Sequence, residues 1–404
     1  MKKKYIIIII LFSFLQNVFN NLGHPVTPSF LGFLEIPKFM FGFYYASMSL
    51  GMMIGALFWG SLGDTKKNGK LILLGLTIYG LSQIGFGFSH NQYIMILFRL
   101  TGGFGIAAPM TLFVSLCIGH AKENRAKYLA YLAAFSTLGI SVGYQLGGLL
   151  GDSAFFNNLI KTNSHENVFL FQSFTCIGLG ILSYFFIADY NTDSKIVKRK
   201  NPFASLGKIK SIHPSLLVFL ISLTFITIAS TNLSKYLDVY FNDLGHNSTK
   251  LGTFVLVTGI VAVLTSLFIV PFMTKIKKRL PFIAILQILS AIIVLFVFRA
   301  KANKFILVIY TVYNVYIVLK SIYLPMEQNY ISNGADNDSI GTIMGIRQSF
   351  LSIGNVIGPI LGGFLYDIKP IVLFDSSAVF FILGALLIVI VMLLERKKHI
   401  YLEK

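Results

Sequence analysis

The sequence predicts an all-α integral membrane protein with twelve transmembrane helices in two pseudo-symmetric six-helix bundles. Hydrophobic residues make up 55% of the 404 residues and charged residues only 12%, whereas soluble domains are about 25% charged because their surfaces meet water. The chain also contains twelve apolar windows of the length, roughly 20 residues, that crosses a bilayer. Finally, one glycine pattern occurs in both halves, as expected of a duplicated bundle.

One long polar stretch separates the first six windows from the last six. This stretch, residues 191–213, contains six Lys and Arg residues and is interpreted as a cytoplasmic linker. It divides the chain into an N-terminal bundle, residues 1–190, and a C-terminal bundle, residues 214–404. The predicted windows are residues 5–32, 40–62, 71–89, 92–118, 127–150, 167–188, 214–241, 251–273, 281–299, 304–330, 341–365 and 371–394.

The distribution of positive charge predicts the topology. The formal net charge is +18, but 23 of the 34 Lys and Arg residues lie in tails and loops on one predicted face, and seven lie on the other. This bias is the positive-inside signal, so we expect both termini in the cytoplasm. The basic amino terminus resembles a signal peptide, yet no small-residue cleavage site follows its apolar run. We therefore expect an uncleaved first span.

The repeated glycine pattern lies in the fifth and eleventh predicted spans. Each matched pair is separated by 215 residues, which favours an internal repeat. The alternative is that small residues at this spacing only allow close helix packing, as in many membrane proteins. The pattern consists of Gly139, Gly143, Gly147 and Gly148 in the fifth span, and of Gly354, Gly358, Pro359, Gly362 and Gly363 in the eleventh.

Two further motifs lie in the first half of the chain. The loop from Gly60 to Lys70 combines glycines, Asp64 and several lysines, so its acid can pair with charge at a neighbouring helix end. A solvated basic loop is the alternative. In the fourth span, Arg99 is followed by a glycine-rich face. An unpaired guanidinium is costly in hydrocarbon, so Arg99 is expected to face a partner or a wet cavity, or to be a structural hydrogen-bonding residue.

Together these motifs resemble those of the major facilitator superfamily, and most closely its bacterial drug/proton antiporters, the twelve-span multidrug and tetracycline efflux pumps. The resemblance implies the major facilitator fold, a conformational role for the Asp64 loop, a proton-coupling role for Arg99 and an antiporter role for the glycine pattern. The sequence departs from the family pattern at two positions: Gly102 replaces a glutamine and Tyr144 replaces a proline.

Polar residues mark two further spans as candidate walls of a cavity. In the first span, Asn17, Asn20, Asn21 and His24 fall on one helical face, which predicts a cavity wall or a hydrogen-bonded seam between helices. In the seventh span, no acid lies at the centre, where some efflux pumps have one. Asn232 and Lys235 of this span are candidates for the substrate cavity, and Asp238 is a candidate for proton coupling. Lys235 and Asp238 are also spaced for an internal ion pair.

The tenth span contains polar residues at intervals of three and four. Glu327 is the first candidate for a protonatable carboxylate, because ionisable groups inside membranes are usually functional. It lies near the predicted cytoplasmic end, so a solvated boundary residue is the alternative. Arg347 is interpreted as a headgroup anchor, and Asp375 is ambiguous. The other members of the tenth-span face are Tyr313 and three candidates for the substrate cavity, Tyr316, Lys320 and Tyr323.

These observations predict a secondary active transporter that exports small amphipathic molecules in exchange for protons by alternating access. A facilitator or symporter for a sugar, a peptide or an anionic or zwitterionic metabolite fits the same fold. Nothing in the sequence suggests catalysis, since it contains no metal cluster, nucleotide loop or catalytic triad. The expected partners are a small-molecule substrate and the bilayer, without nucleic acid. We expect a monomer in the bacterial cytoplasmic membrane with no cofactor beyond the proton gradient.

Overall fold

The computed structural model describes residues 2–63, 67–121, 125–153, 164–187, 213–273, 276, 278–333 and 340–402. These residues are helical apart from short connections, and no strand occurs among them. The predicted all-α class is therefore confirmed. The predicted linker lies outside the described residues except for His213, and Asp64 lies outside them as well.

Fifteen α-helices follow one another in the described residues, and two π-helical turns interrupt the sequence of helices. The π turns, Thr265–Ile269 and Ile309–Tyr313, each join two α-helices into one longer helix. The α-helices are α1 Lys2–Asn20, α2 Thr27–Phe33, α3 Phe39–Gly63, α4 Asn68–Phe88, α5 Gln92–Ala121, α6 Arg125–Gly151, α7 Ser164–Phe186, α8 Pro214–Asp243, α9 Ser248–Leu264, α10 Val270–Met273, α11 Arg279–Val297, α12 Ala302–Val308, α13 Asn314–Asn333, α14 Ile340–Ile368 and α15 Pro370–Leu402.

Eleven helical stretches of the described chain are long and apolar enough to cross a membrane, and Lys4–Asn20 is a shorter apolar helix. The protein is therefore a multi-pass membrane protein. The first predicted window, residues 5–32, is wrong as a single helix, because a turn separates α1 from α2. Pro25 and Pro28 explain the break, since proline lacks an N–H donor and disfavours helical backbone at the residue before it.

The chain forms two compact units. Unit 1 comprises Met1–Arg199 and Asp238–Val263, and unit 2 comprises Lys200–Leu237 and Leu264–Lys404. In unit 1, α3 packs on α5, α4 packs on α5 and α7, and α1 packs on α6; in unit 2, α11 packs on α13 and α15. The proposed domain boundaries at residues 190 and 214 stay a prediction.

Both glycine patterns allow a neighbouring helix to approach closely. On α6, a Cβ at Gly139, Gly143 or Gly147 would meet backbone atoms of α1 or of the turn after it, and a Cβ at Gly148 would meet Ser248. On α14, a Cβ at Gly354, Gly358 or Gly362 would meet the part of α8 from Thr224 to Tyr236. Close packing, the alternative considered for this pattern, is therefore one use of these glycines in both units.

Candidate functional site

The polar face of the first span is buried in unit 1. The side-chain amides of Asn17 and Asn21 donate hydrogen bonds to backbone oxygens one turn earlier. Asn17 donates to Ser13 at 2.8 Å, and Asn21 donates to Asn17 at 2.7 Å. Asn20 is different, because its buried side-chain oxygen has no hydrogen-bond partner. These residues therefore combine a hydrogen-bonded seam with one unsatisfied polar group.

Two residues that the sequence analysis missed lie against the end of α1. Tyr79 and Gln172 both donate hydrogen bonds to the backbone oxygen of Asn20, at 2.9 Å and 2.6 Å. This oxygen belongs to the last turn of α1, where helical carbonyls lack partners within the helix. Gln172 is a buried amide inside an apolar span, and this is the signal that would have identified it.

His24 lies in the turn after α1, within a group of aromatic rings. Its Nδ1 atom is 2.8 Å from the Tyr45 hydroxyl, and its ring stacks on those of Tyr45 and Tyr144 at centroid distances of 5.6 Å and 5.5 Å. The Tyr144 hydroxyl donates a hydrogen bond to Asp238 Oδ2 at 3.1 Å. Unit 1 thus brings together two predicted site residues, His24 and Asp238, through two tyrosines that were not predicted as site residues.

Arg99 is buried in α5 with 6% of its surface exposed. Its guanidinium carbon lies 3.7 Å from the centroid of the Phe86 ring, and Nη2 donates to Thr27 Oγ1 at 3.4 Å. Its Nε atom has no hydrogen-bond partner, and no ion pair with a described carboxylate satisfies its charge. The sequence analysis expected a partner for Arg99 without identifying it. In the structure this partner is the face of the Phe86 ring, which attracts cations through its quadrupole.

Glu327 and Arg347 form a buried ion pair in unit 2. Arg347 Nε donates to both carboxylate oxygens of Glu327, at 3.1 Å and 3.0 Å, and Nη2 donates to Oε1. Glu327 is 1% exposed and Arg347 is 8% exposed. The interpretation of Arg347 as a headgroup anchor is therefore wrong, and so is the alternative that Glu327 is solvated, because the carboxylate needs the guanidinium to stay ionised in an apolar interior.

Glu327 lies in the wall of a cavity within unit 2. The cavity is small, with a volume of about 50 Å³ that water-sized molecules can reach. Three other predicted residues of the tenth span, Tyr316, Lys320 and Tyr323, also line it. The Tyr316 hydroxyl is buried without a hydrogen-bond partner. The remaining lining residues are Ile226, Thr227, Ser230, Gln287, Ser290, Leu319, Leu324, Leu351 and Phe381.

The predicted residues of the seventh span differ in their surroundings. Asn232 is fully buried, and neither its side-chain nitrogen nor its oxygen has a hydrogen-bond partner. Lys235 is half-buried. The predicted ion pair between Lys235 and Asp238 stays a prediction. Asp375 forms an exposed ion pair with Arg299, with an N–O distance of 2.9 Å.

Comparison with known proteins identifies a family model that matches this chain and relatives that are similar to it over nearly its whole length. The family model described as Major Facilitator Superfamily matches residues 4–319. Multidrug resistance protein 2 of Bacillus subtilis (strain 168) is 25% identical over 379 residues, covering 90% of this chain and 89% of that protein. Quinolone resistance protein NorA of Staphylococcus aureus (strain MRSA252) is 27% identical over 387 residues, covering 93% of this chain and 92% of that protein.

Solved structures show the same fold at low sequence identity. A bacterial homolog of the human lysosomal transporter Spinster, in an inward-facing and occupied conformation, has a TM-score of 0.77 at 13% identity and covers 96% of both chains. The nucleoside transporter NupG has a TM-score of 0.72 at 14% identity, covering 96% of this chain and 98% of that chain. These likenesses concern the fold alone.

Proposed function

Because this chain belongs to the Major Facilitator Superfamily, and is therefore a membrane transporter rather than an enzyme, we propose that it exports small amphipathic molecules in exchange for protons by alternating access. The proposal includes twelve spans in two pseudo-symmetric six-helix bundles and both termini in the cytoplasm of a bacterium. It also includes a monomer without nucleic-acid partners or a cofactor, with the proton gradient as its energy source.

The buried pair of Glu327 and Arg347 carries the proposal. A carboxylate held by charge-assisted hydrogen bonds is stable while ionised, but protonation of Glu327 removes most of that attraction. A proton that reaches Glu327 would therefore free Arg347, a change of charge and contact that can favour a second conformation. Because Glu327 also lines the cavity of unit 2, the proton and a bound substrate would act on the same wall.

The cargo class is inferred from two further observations. The cavity combines apolar side chains with a small number of hydroxyl, amide and charged groups, which is typical of sites for small amphipathic ligands. The relatives named above are proteins of multidrug resistance and quinolone resistance, and they cover nearly the whole chain. Export of such compounds is the simplest function that agrees with both observations.

Transport in proteoliposomes tests the proposal. We expect a pH gradient to drive accumulation of ethidium or a fluorescent quinolone by the wild-type protein. Glu327→Gln should abolish this accumulation while counterflow exchange of the same probe, which needs no gradient, continues. Asp375→Asn, which removes the acid of an exposed ion pair in the same unit, is the matched control and should transport normally. Retained coupling in Glu327→Gln would exclude Glu327 as the proton site.

Lys320 favours a second candidate, a facilitator or symporter for an anionic or zwitterionic metabolite. Arg347 already neutralises Glu327, whereas Lys320 lines the same cavity and makes no ion pair with any residue that the structure describes. A ligand in the cavity would therefore meet net positive charge. Counterflow of a carboxylate-bearing dye and of its neutral ester separates the candidates: preference for the acid that disappears in Lys320→Gln, without any effect of a pH gradient, would favour the facilitator.

A further inference from the structure

The wall of the cavity in unit 2 contains three hydroxyls whose hydrogens are already bonded. Each donates to a backbone oxygen of its own helix, three or four residues earlier in the chain. They are Thr227, Ser230 and Ser290, which donate at 2.7 Å, 3.2 Å and 2.8 Å. A hydroxyl has one hydrogen to donate, so these groups offer a ligand in the cavity only their oxygen lone pairs.

Three other polar side chains in the same wall have hydrogens that no described residue accepts. The Tyr316 hydroxyl is buried without a partner, and Gln287, which is 2% exposed, makes no hydrogen bond with the described part of the chain. Lys320 makes neither a hydrogen bond nor an ion pair with those residues. Tyr316 and Lys320 are one turn apart on α13, and Gln287 lies on α11, which packs on α13. Unused donors therefore line the cavity on two helices.

The charge of Lys320 is not compensated within this wall. Glu327, the one carboxylate among the lining residues, accepts hydrogen bonds from Arg347 on both oxygens. It also lies two turns from Lys320, about 10 Å along the axis of a helix. A charged group in an apolar interior is costly unless it is paired. A ligand that brings one negative charge and several hydrogen-bond acceptors would satisfy all three donors at once.

The size of the cavity limits what this ligand can be. Water-sized molecules reach a volume of about 50 Å³, whereas one water needs about 10–15 Å³ and sites for drug-sized ligands measure about 300–1,000 Å³. A few waters or one small ion therefore fit the cavity as it stands, and cargo of the proposed class needs a wider form of it. Water would satisfy the hydrogen bonds but leave the positive charge uncompensated. A small anion satisfies both.

We propose that the cavity of unit 2 binds one small monovalent anion, chloride or an inorganic ion of similar size, through Lys320, Tyr316 and Gln287. The ion neutralises Lys320, so an amphipathic cation such as ethidium no longer meets an unpaired positive charge in this wall. The inference needs neither proton coupling nor a particular cargo. It also separates the charge of Lys320 from the second candidate above, because the negative partner is an inorganic ion and not the transported molecule.

Equilibrium binding of ³⁶Cl⁻ to the purified full-length protein, with gluconate holding the ionic strength constant, tests the site. We expect saturable binding of one ion per chain to the wild type and none to Lys320→Met. Tyr316→Phe, which removes a single oxygen and keeps the ring, should weaken binding at least about tenfold, because hydrogen bonds to charged groups are the strong ones. Lys304→Gln, which removes an exposed lysine of the same span, is the matched control and should bind as the wild type does.

Lys320→Arg separates loss of charge from loss of the fold. This variant keeps the positive charge and should still bind ³⁶Cl⁻, whereas Lys320→Met should not, at equal denaturation midpoints of the two variants. Absence of binding to the wild type would overturn the site. So would wild-type affinity in Lys320→Met or in Tyr316→Phe.

Competition distinguishes an inorganic ion from the carboxylate of a cargo molecule. Bromide should displace ³⁶Cl⁻, whereas benzoate, whose ring is too large for a volume of about 50 Å³, should not. Displacement by benzoate and not by bromide would overturn the proposal and favour the facilitator for anionic metabolites. Neither a gradient nor cargo enters this assay, so absence of ion binding contradicts the anion site alone, and absence of pH-driven flux contradicts the proposed function alone.

Transport measures what the bound ion does for a cationic cargo. In proteoliposomes, replacing chloride by gluconate on both sides should reduce pH-driven ethidium accumulation by about fivefold, the lower end of the coupling between two bound ligands. The reduction should be absent in Lys320→Gln, which has no charge to neutralise. A reduction of equal size in Lys320→Gln would overturn the claim that the ion acts through Lys320.

Discussion

Arg99 in unit 1 and Arg347 in unit 2 are both buried in apolar helices, but the two units accommodate the charge differently. Arg347 has a carboxylate partner, Glu327, that accepts hydrogen bonds on both oxygens. Arg99 has the face of Phe86 and a single long bond to Thr27. The first arrangement cancels a full charge and depends on the protonation of its partner, whereas the second leaves a fixed positive charge among tyrosines. On the function proposed above, unit 2 contains a pair that protonation of Glu327 can open, whereas unit 1 contains a permanent cation.

The largest expected effect comes from removing the guanidinium of the pair. Arg347→Ala leaves the Glu327 carboxylate buried without a counter-charge, and loss of one partner of such a pair costs about 3–5 kcal/mol of stability. The midpoint of denaturation in detergent, followed by the fluorescence of Trp59, measures the loss. If the unpaired carboxylate causes the loss, the decrease should be smaller at acidic pH, where Glu327 is protonated and carries no charge. A decrease of the same size at every pH would point to lost packing instead.

The double variant Arg347→Met/Glu327→Leu is the control for this prediction. Replacing both partners of a buried ion pair by apolar residues of similar volume is often neutral or stabilising. We therefore expect stability near that of the wild type together with complete loss of pH-driven transport. A double variant as unstable as Arg347→Ala would show that the two side chains matter for shape rather than for charge.

Several of these features were predictable from the sequence and others were not. Arg99 and Glu327 were predictable as candidates because ionisable residues in apolar windows are conspicuous without any knowledge of the fold. The pairing of Glu327 with Arg347 was not, because 20 residues and a change of helix separate them and no local spacing connects them. The turn after α1 was also missed, since Asn17, Asn20, Asn21 and His24 keep a helical period across it.

Tyr144 shows a different limit of the sequence. Its position in the glycine pattern was predictable, and so was its departure from a proline. Its hydroxyl, however, donates a hydrogen bond to Asp238, which is 94 residues away in the chain. A pattern within one helix specifies which residues share a face, but it does not specify which distant side chain will meet that face. The packing of whole helices determines such pairs.

A medium effect is expected where Arg99 meets Phe86. The stacked cation should contribute about 1 kcal/mol beyond the packing of the ring. Single substitutions cannot isolate this contribution, because Phe86 also packs against Tyr44 and Phe169. A double-mutant cycle with Phe86→Leu and Arg99→Met removes the packing component, and its coupling energy, measured by denaturation in detergent, should be close to that value. A coupling energy near zero would mean that Arg99 is satisfied by other groups.

The smallest effect is expected at the exposed pair of Arg299 and Asp375, which tests whether burial or pairing distinguishes Arg347. The side chains of the two residues are 51% and 38% exposed, and their charged atoms lie 2.9 Å apart. Water screens such a pair, so Asp375→Asn should change the stability of the protein by less than about 1 kcal/mol in the same denaturation assay. Addition of salt should reduce even this change, because screening acts on exposed charges far more than on buried ones. A loss as large as that of Arg347→Ala would mean that an ion pair stabilises unit 2 whether or not it is buried. Arg347 and Arg99 would then differ only in that Arg347 has a carboxylate partner.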